Sequence, residues 1–109
     1  MTPLWIPRLA LLLAAFGAQA QGQESQDLRT RSLAATCAHC HGTDGRALPG
    51  AVVAGLAGRP AAELVEQMRA FKSGARNATV MPQLAKGYSD AQIEQLAAYF
   101  SAQKAQAPR

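Results

Sequence analysis

The chain has 109 residues, a formal net charge of +4 and only 6% aromatic residues. Its basic residues are scattered and lack interleaved aromatics, so it does not have the composition of a nucleic-acid surface, and no nucleic acid is expected as a partner. A domain this small, rich in alanine and glycine, has a marginal core and needs a disulfide, a metal or a bound group to complete it.

Residues 1–20, "MTPLWIPRLALLLAAFGAQA", place one positive charge, Arg8, ahead of an apolar run from Leu9 to Ala18. Ala18-Gln19-Ala20 is a small-x-small cleavage pattern, and the whole order is that of a secretory signal peptide. The alternative, a membrane anchor, needs about 20 apolar residues, more than the run supplies. Cleavage after Ala20 is expected, which leaves 89 residues with a net charge near +3 and no stable membrane span. An exported, periplasmic protein follows from this reading.

Gln21 to Gln26 is polar and reads as a flexible leader. A first helix is expected from about Asp27 to Cys37, with Leu28, Leu33, Ala34 and Ala35 as its apolar surface. Five glycines and Pro49 between Gly42 and Gly58 forbid a long helix and read as a wandering loop. Pro60 opens a second helix, where its missing N–H is harmless. Leu64, Val65, Met68 and Phe71 recur there at helical spacing, and Gly74 closes it. "ARNATVMPQLAKGY" reads as a second loop, broken at Pro82 and Gly87. Ser89 and Gln92 form a capping box for the last helix, whose apolar face is Ile93, Leu96, Ala97 and Phe100. It should fray near Ala102 to Ala105. The expected organisation is a domain over residues 27–103, all-α, with three main helices and two long loops, then a polar tail over 104–109. Long loops in a small domain are usually functional or wrapped round something.

Both cysteines and both histidines fall within Cys37-Ala38-His39-Cys40-His41. This is C-x-x-C-H, the attachment pattern of c-type haem. Cys37 and Cys40, three apart, can reach the two vinyl groups on one porphyrin edge, and His41 can present a nitrogen to iron. Three duller readings compete. A disulfide leaves His41 without a task. A thiol redox centre needs βαβ elements, which are not found. A zinc site needs wider spacing between its cysteines and histidines. His39 is expected to face outward with no ligand role.

No histidine outside the motif can fill the sixth position of the iron. Met68 sits on the apolar face of the second helix, where methionine is usually core. Met81 lies in a loop ahead of Pro82, so Met81 is favoured as the second ligand, with Met68 and an open site as alternatives. Histidine plus methionine closes the iron to oxygen and peroxide and favours the ferrous state, as one-electron transfer requires.

In this order C-x-x-C-H-G, the glycine-rich loop, "QMRAFKSGARN", "VMP" and "SDAQIEQLAAYF" resemble small bacterial class I cytochromes c over nearly all of residues 27–103. "LAKGYSDAQIEQLAAYF" further resembles the cytochrome subunit of flavocytochrome c sulfide dehydrogenase. The resemblance implies a fold in which helices and loops wrap one covalent haem c. It implies thioethers at Cys37 and Cys40, proximal ligation by His41, distal ligation by Met81, and Leu56 packed near the histidine side. Tyr99 and Phe100 would lie where the last helix crosses the first, with Ala34, Ala35, Ala97 and Ala98 permitting the approach. Arg76 and Asn77 either anchor the loop or a propionate, or are solvated loop residues.

Two departures from the family stand out. Members often have a proline two residues before the leucine matching Leu56, and its carbonyl orients the histidine; here Ala54 holds that place. The sulfide-dehydrogenase subunits often carry two haem domains, whereas this chain has one motif. Three functions stay open: a subunit taking electrons from a sulfide-oxidising flavoprotein, a diffusible carrier between other redox partners, and a haem enzyme or sensor with open iron. In the first two the chain is not an enzyme by itself.

Overall fold

The computed structural model describes residues 6–105. Among them there is no strand, and the expected all-α class holds. The elements in chain order are α1 (Ile6–Ala35), α2 (Ala38–His41), a 3-10 turn (Thr43–Gly45), α3 (Ala61–Ser73), α4 (Met81–Lys86) and α5 (Asp90–Ser101). Residues 1–5 of the expected signal and 106–109 of the expected tail lie outside the described residues.

The helices that local signals mark most clearly form as expected. Pro60 precedes α3, and Gly74 ends it in the left-handed conformation at φ 82°, donating its N–H to Phe71 O at 3.2 Å. The capping box of α5 is reciprocal: Gln92 N donates to Ser89 Oγ (3.2 Å) and Ser89 N donates to Gln92 Oε1 (2.9 Å). Two donors with no partner inside the helix are thereby satisfied. The helix ends at Ser101, where fraying was expected to begin.

Two expectations need correction. The first helix does not start at Asp27 but at Ile6, so residues 21–26 are helical rather than a flexible leader. Their glutamines and Glu24 favour a helix that arrives from the preceding residues, and Gly22 weakens such a run without breaking it. Asp27 then lies inside the helix and accepts from Gln23 Nε2 at 3.0 Å instead of capping. The helix also stops at Ala35, two residues before Cys37. In addition, the second loop contains α4, because Pro82 lies in the first turn of that helix. A proline there costs no hydrogen bond, so it opens the helix rather than breaking the segment.

The C-terminal part of α1 packs on α5, and α3 packs on both α4 and α5. Ala34, Leu64, Leu96, Ala97 and Phe100 are buried together, with Leu33, Leu56, Val65, Tyr88 and Tyr99 against them. Each of the large side chains buried contributes about 1.5–3 kcal/mol. Ala34 and Ala97 occupy the α1–α5 crossing as the small pattern implied, while Ala35 and Ala98 are exposed. Arg69–Glu94 (2.8 Å) and Lys72–Asp90 (3.0 Å) link α3 to α5 at the surface, where ion pairs add little stability. Lys72 also donates to Tyr88 O at 2.8 Å, which ties the turn before α5 to α3. Among the described residues, no helix is long and apolar enough to cross a membrane.

Candidate functional site

The C-x-x-C-H motif forms a turn and a short helix. Thr36 N and Cys37 N donate to Leu33 O (3.2 Å) and Ala34 O (3.0 Å), turning the chain out of α1. Cys37 caps α2, and His41 N closes its single turn on Cys37 O at 3.0 Å. Residues three and four apart share a helix face, so this turn brings Cys37, Cys40 and His41 to one side. Gly42 follows at φ 82°, where a Cβ would collide with the Arg46 carbonyl. A glycine is therefore required directly after the motif.

A cavity of about 490 Å³ opens on that side. Cys37, Cys40 and His41 form one part of its wall, with Ala54 and Leu56 of the glycine-rich loop beside them. Leu64, Met68 and Phe71 of α3, Met81 and Leu84 of α4, and Ile93, Leu96 and Phe100 of α5 complete the apolar lining. Every residue expected to hold haem, namely Cys37, Cys40, His41, Leu56 and Met81, thus borders one cavity. Met68 borders it as well. Asn77 and the exposed His39 do not.

The imidazole is held from behind. His41 Nδ1 lies 2.7 Å from the carbonyl oxygen of Ala54. A carbonyl only accepts, so Nδ1 carries a proton, and in the neutral ring it is Nε2 that keeps the lone pair. That tautomer is the one a metal-binding histidine needs, and the carbonyl raises its basicity. Ala54 thus performs, through its backbone, the orientation that a proline supplies in many family members.

The cysteines are two free thiols, Cys37 half-buried and Cys40 exposed. Burial pushes the Cys37 thiol above its ordinary range, with Thr36 opposing this by hydrogen bonding and Cys40 adding to it. Among the described residues no three His, Cys, Asp or Glu side chains gather to hold a metal, so the zinc reading finds no donor set.

Of the polar part of the wall, sequence reasoning singled out Arg76 but not Arg59. Arg59 and Arg76 line the cavity, and among the described residues no carboxylate does. Arg59 is paired with Glu63, whose Oε1 also accepts from Gln67 Nε2 at 3.0 Å. The Arg76 guanidinium lies 4.9 Å from the centroid of the Phe71 ring. Thr36 Oγ1 and Tyr88 Oη meet at 3.1 Å beside Cys37. An apolar cavity with paired thiols, a pre-set imidazole, two thioethers and two cations fits an iron porphyrin with two carboxylate tails.

Comparison with known proteins agrees. The family described as cytochrome c oxidase, cbb3-type, subunit III matches residues 26–100. The chain belongs to the class I cytochrome c family. It is 47% identical over 68 residues to the thiosulfate dehydrogenase electron acceptor of Thiomonas intermedia, covering 62% of this chain and 31% of that protein. It is 40% identical over 72 residues to cytochrome c-554(548) of Halomonas halodenitrificans, covering 63% and 86% respectively. It is 38% identical over 72 residues to the cytochrome subunit of sulfide dehydrogenase of Chlorobaculum tepidum, covering 66% and 64%. This cytochrome therefore spans about a third of the first relative, most of the second and just under two thirds of the third. Its cofactor is a covalently bound haem c, which supplies a one-electron iron couple.

Proposed function

We propose that this cytochrome is an exported, periplasmic electron carrier with one His/Met-ligated haem, and that it accepts electrons from a sulfide-oxidising flavoprotein. In this reading residues 1–20 are a cleaved signal. Cys37 and Cys40 form the thioethers, His41 and Met81 are the axial ligands, and Leu56 packs on the ring. The observation that carries it is the His41 Nδ1–H···O=C Ala54 hydrogen bond at 2.7 Å, at the edge of a cavity shared with both thiols and Met81. An imidazole whose Nδ1–H is held by a backbone carbonyl is oriented for iron before any other group takes part. Met81 is preferred to Met68 because it lies in the "VMP" stretch that carries the family resemblance, whereas Met68 falls at helical spacing with Leu64 and Phe71 on α3.

The residues divide the task. The thiols fix the group to α2, so it cannot be lost outside the cell. His41 and Met81 would hold the iron between them and leave it no position for oxygen. The thioether sulfur favours ferrous iron and raises the potential. Arg59 and Arg76 offset the negative charge of the carboxylate tails.

A sulfide-oxidising partner is supported by the likeness to the Chlorobaculum tepidum sulfide dehydrogenase subunit, and its flavoprotein nature by the resemblance of "LAKGYSDAQIEQLAAYF". A second reading, a free carrier serving other dehydrogenases, is favoured by the 86% coverage of cytochrome c-554(548). The likeness to an acceptor of thiosulfate dehydrogenase points the same way. Purification from the periplasm separates them: a flavoprotein that co-purifies and reduces the haem on adding sulfide supports the first reading. A solitary cytochrome that sulfide plus flavoprotein fails to reduce supports the second. Met81→Ala tests the ligand set in either case. Its reduction potential should fall and its iron should bind imidazole or carbon monoxide; a wild-type potential with no such binding removes Met81 from the site.

A further inference from the structure

Ala54 can orient His41 only if its carbonyl is kept in place, and alanine does not lock the backbone as proline does. The structure shows what replaces that lock. Leu56 N and Ala57 N both donate to Gly45 O, at 2.8 and 3.1 Å. The segment bearing Ala54 therefore hangs from a single carbonyl in the turn that follows the haem motif. Gly45 is buried at φ 75°, and a Cβ there would lie 2.9 Å from Ala57 N, Leu56 Cβ and Phe100 Cδ1. The contact between the two loops is thus as close as backbones allow.

The turn itself is anchored by its side chains. Asp44 adopts φ 53°, an unusual conformation for a residue with a side chain. Its carboxylate accepts from Tyr99 Oη on α5 at 2.6 Å and from Arg46 Nη1 at 3.2 Å. Arg46 Nε in turn donates to Lys104 O, just beyond α5, at 3.2 Å. Gly58 N donates to Phe100 O at 2.9 Å and closes the far end of the hanging segment on the same helix.

We propose that Asp44 and Tyr99 are positioning residues for the proximal histidine: their hydrogen bond fixes Gly45, whose carbonyl holds the segment that presents the Ala54 oxygen to His41. The proposal rests on His41 being the iron ligand. Neither residue touches the haem cavity; both act through the backbone. When the clamp is broken, the Ala54 carbonyl moves more freely, the imidazole loses basicity, and ferrous iron gains relative to ferric.

The test uses haem-loaded protein and nuclear magnetic resonance of the His41 ring, together with the reduction potential. Tyr99→Phe, which keeps the ring and its packing, should raise solvent exchange of the His41 Nδ1 proton by about tenfold, as expected for loss of one hydrogen bond to a charged group. The potential should rise with it. Asp44→Asn, a residue that tolerates this backbone conformation, should give a smaller change in the same direction. Adding Ala54→Pro to Tyr99→Phe should restore both readouts towards wild type, because proline stiffens the segment independently. Exchange that rises equally at the Ile93 and Leu96 amides would mean general loosening and would overturn the proposal. So would a Tyr99→Phe protein with unchanged proton exchange and potential, or a double variant with no recovery. If the wild-type spectrum shows no iron-shifted His41 ring, the ligation reading fails first and the proposal with it.

Discussion

Asp44 and Tyr99 perturb each other's titration, and the signs differ. The hydrogen bond from Tyr99 holds the Asp44 carboxyl below the usual carboxylate range; burial opposes it, and Arg46 and Arg31 of α1 add smaller contributions in the same direction as Tyr99. The same bond pushes the Tyr99 hydroxyl above its ordinary value, with burial and the Asp44 charge adding to it and Arg31 opposing. A lowered acid stabilises the fold fully above its unfolded pKa, about 3.9, and loses that contribution as pH falls through the lower folded value. A raised tyrosine contributes fully below about pH 10 and loses it as pH rises through the higher folded value. The stability difference between wild type and Tyr99→Phe should therefore be flat from about pH 5 to 9 and shrink at both extremes. Denaturant melts across pH check this, and a difference that peaks in acid would contradict it. None of this was legible in the sequence, because 55 residues separate the partners and no local pattern joins them. The haem motif was legible for the opposite reason: all its spacing lies within one helical turn. The Ala54 contact fell between these cases, since only the family resemblance pointed to the place of that carbonyl.

At the level of elements, α3 and α5 could be read because their ends are written in adjacent residues. Ser89 and Gln92 satisfy two backbone donors that α5 would otherwise leave open. Ser89→Ala should lower stability by about 1 kcal/mol, seen as a drop of roughly 4–8 °C in the melting midpoint of a domain this size. An unchanged midpoint would mean that packing of Ile93, Leu96 and Phe100 alone holds the helix start. α4 escaped the sequence because Pro82 and Gly87 frame only a few residues, and proline reads as a breaker until its place in the first turn is known. The start of α1 escaped for another reason: a polar run such as Gln21 to Gln26 carries no periodic face, so nothing in its pattern distinguishes helix from coil. The Leu33–Ala34 pair, by contrast, marked the part of α1 that meets α5.

On the scale of the whole molecule, the packed core is small for the cavity it surrounds. Among the described residues Ile93 is the one large side chain fully buried, while the cavity measures about 490 Å³ and its walls are the apolar faces of α3, α4 and α5. Without a group to fill it, much of the apolar surface that should stabilise the fold stays wet. Protein with Cys37 and Cys40 both replaced by alanine, made without haem, should be largely unfolded. Circular dichroism during heating should show no cooperative transition; a sharp one would show that the polypeptide closes its own core. The small size and the abundance of alanine and glycine already implied a need for a disulfide, a metal or a bound group, but not which helices would share it.

In the proposed protein haem is joined to one short helical turn whose histidine is already aligned for iron. Tandem mass spectrometry of the peptide spanning Cys37 to His41, from protein recovered from the periplasm, tests that join most directly. The mass of one haem on this peptide, shared between Cys37 and Cys40, is the predicted result. Unmodified thiols, or the two sulfurs bonded to each other, would contradict it.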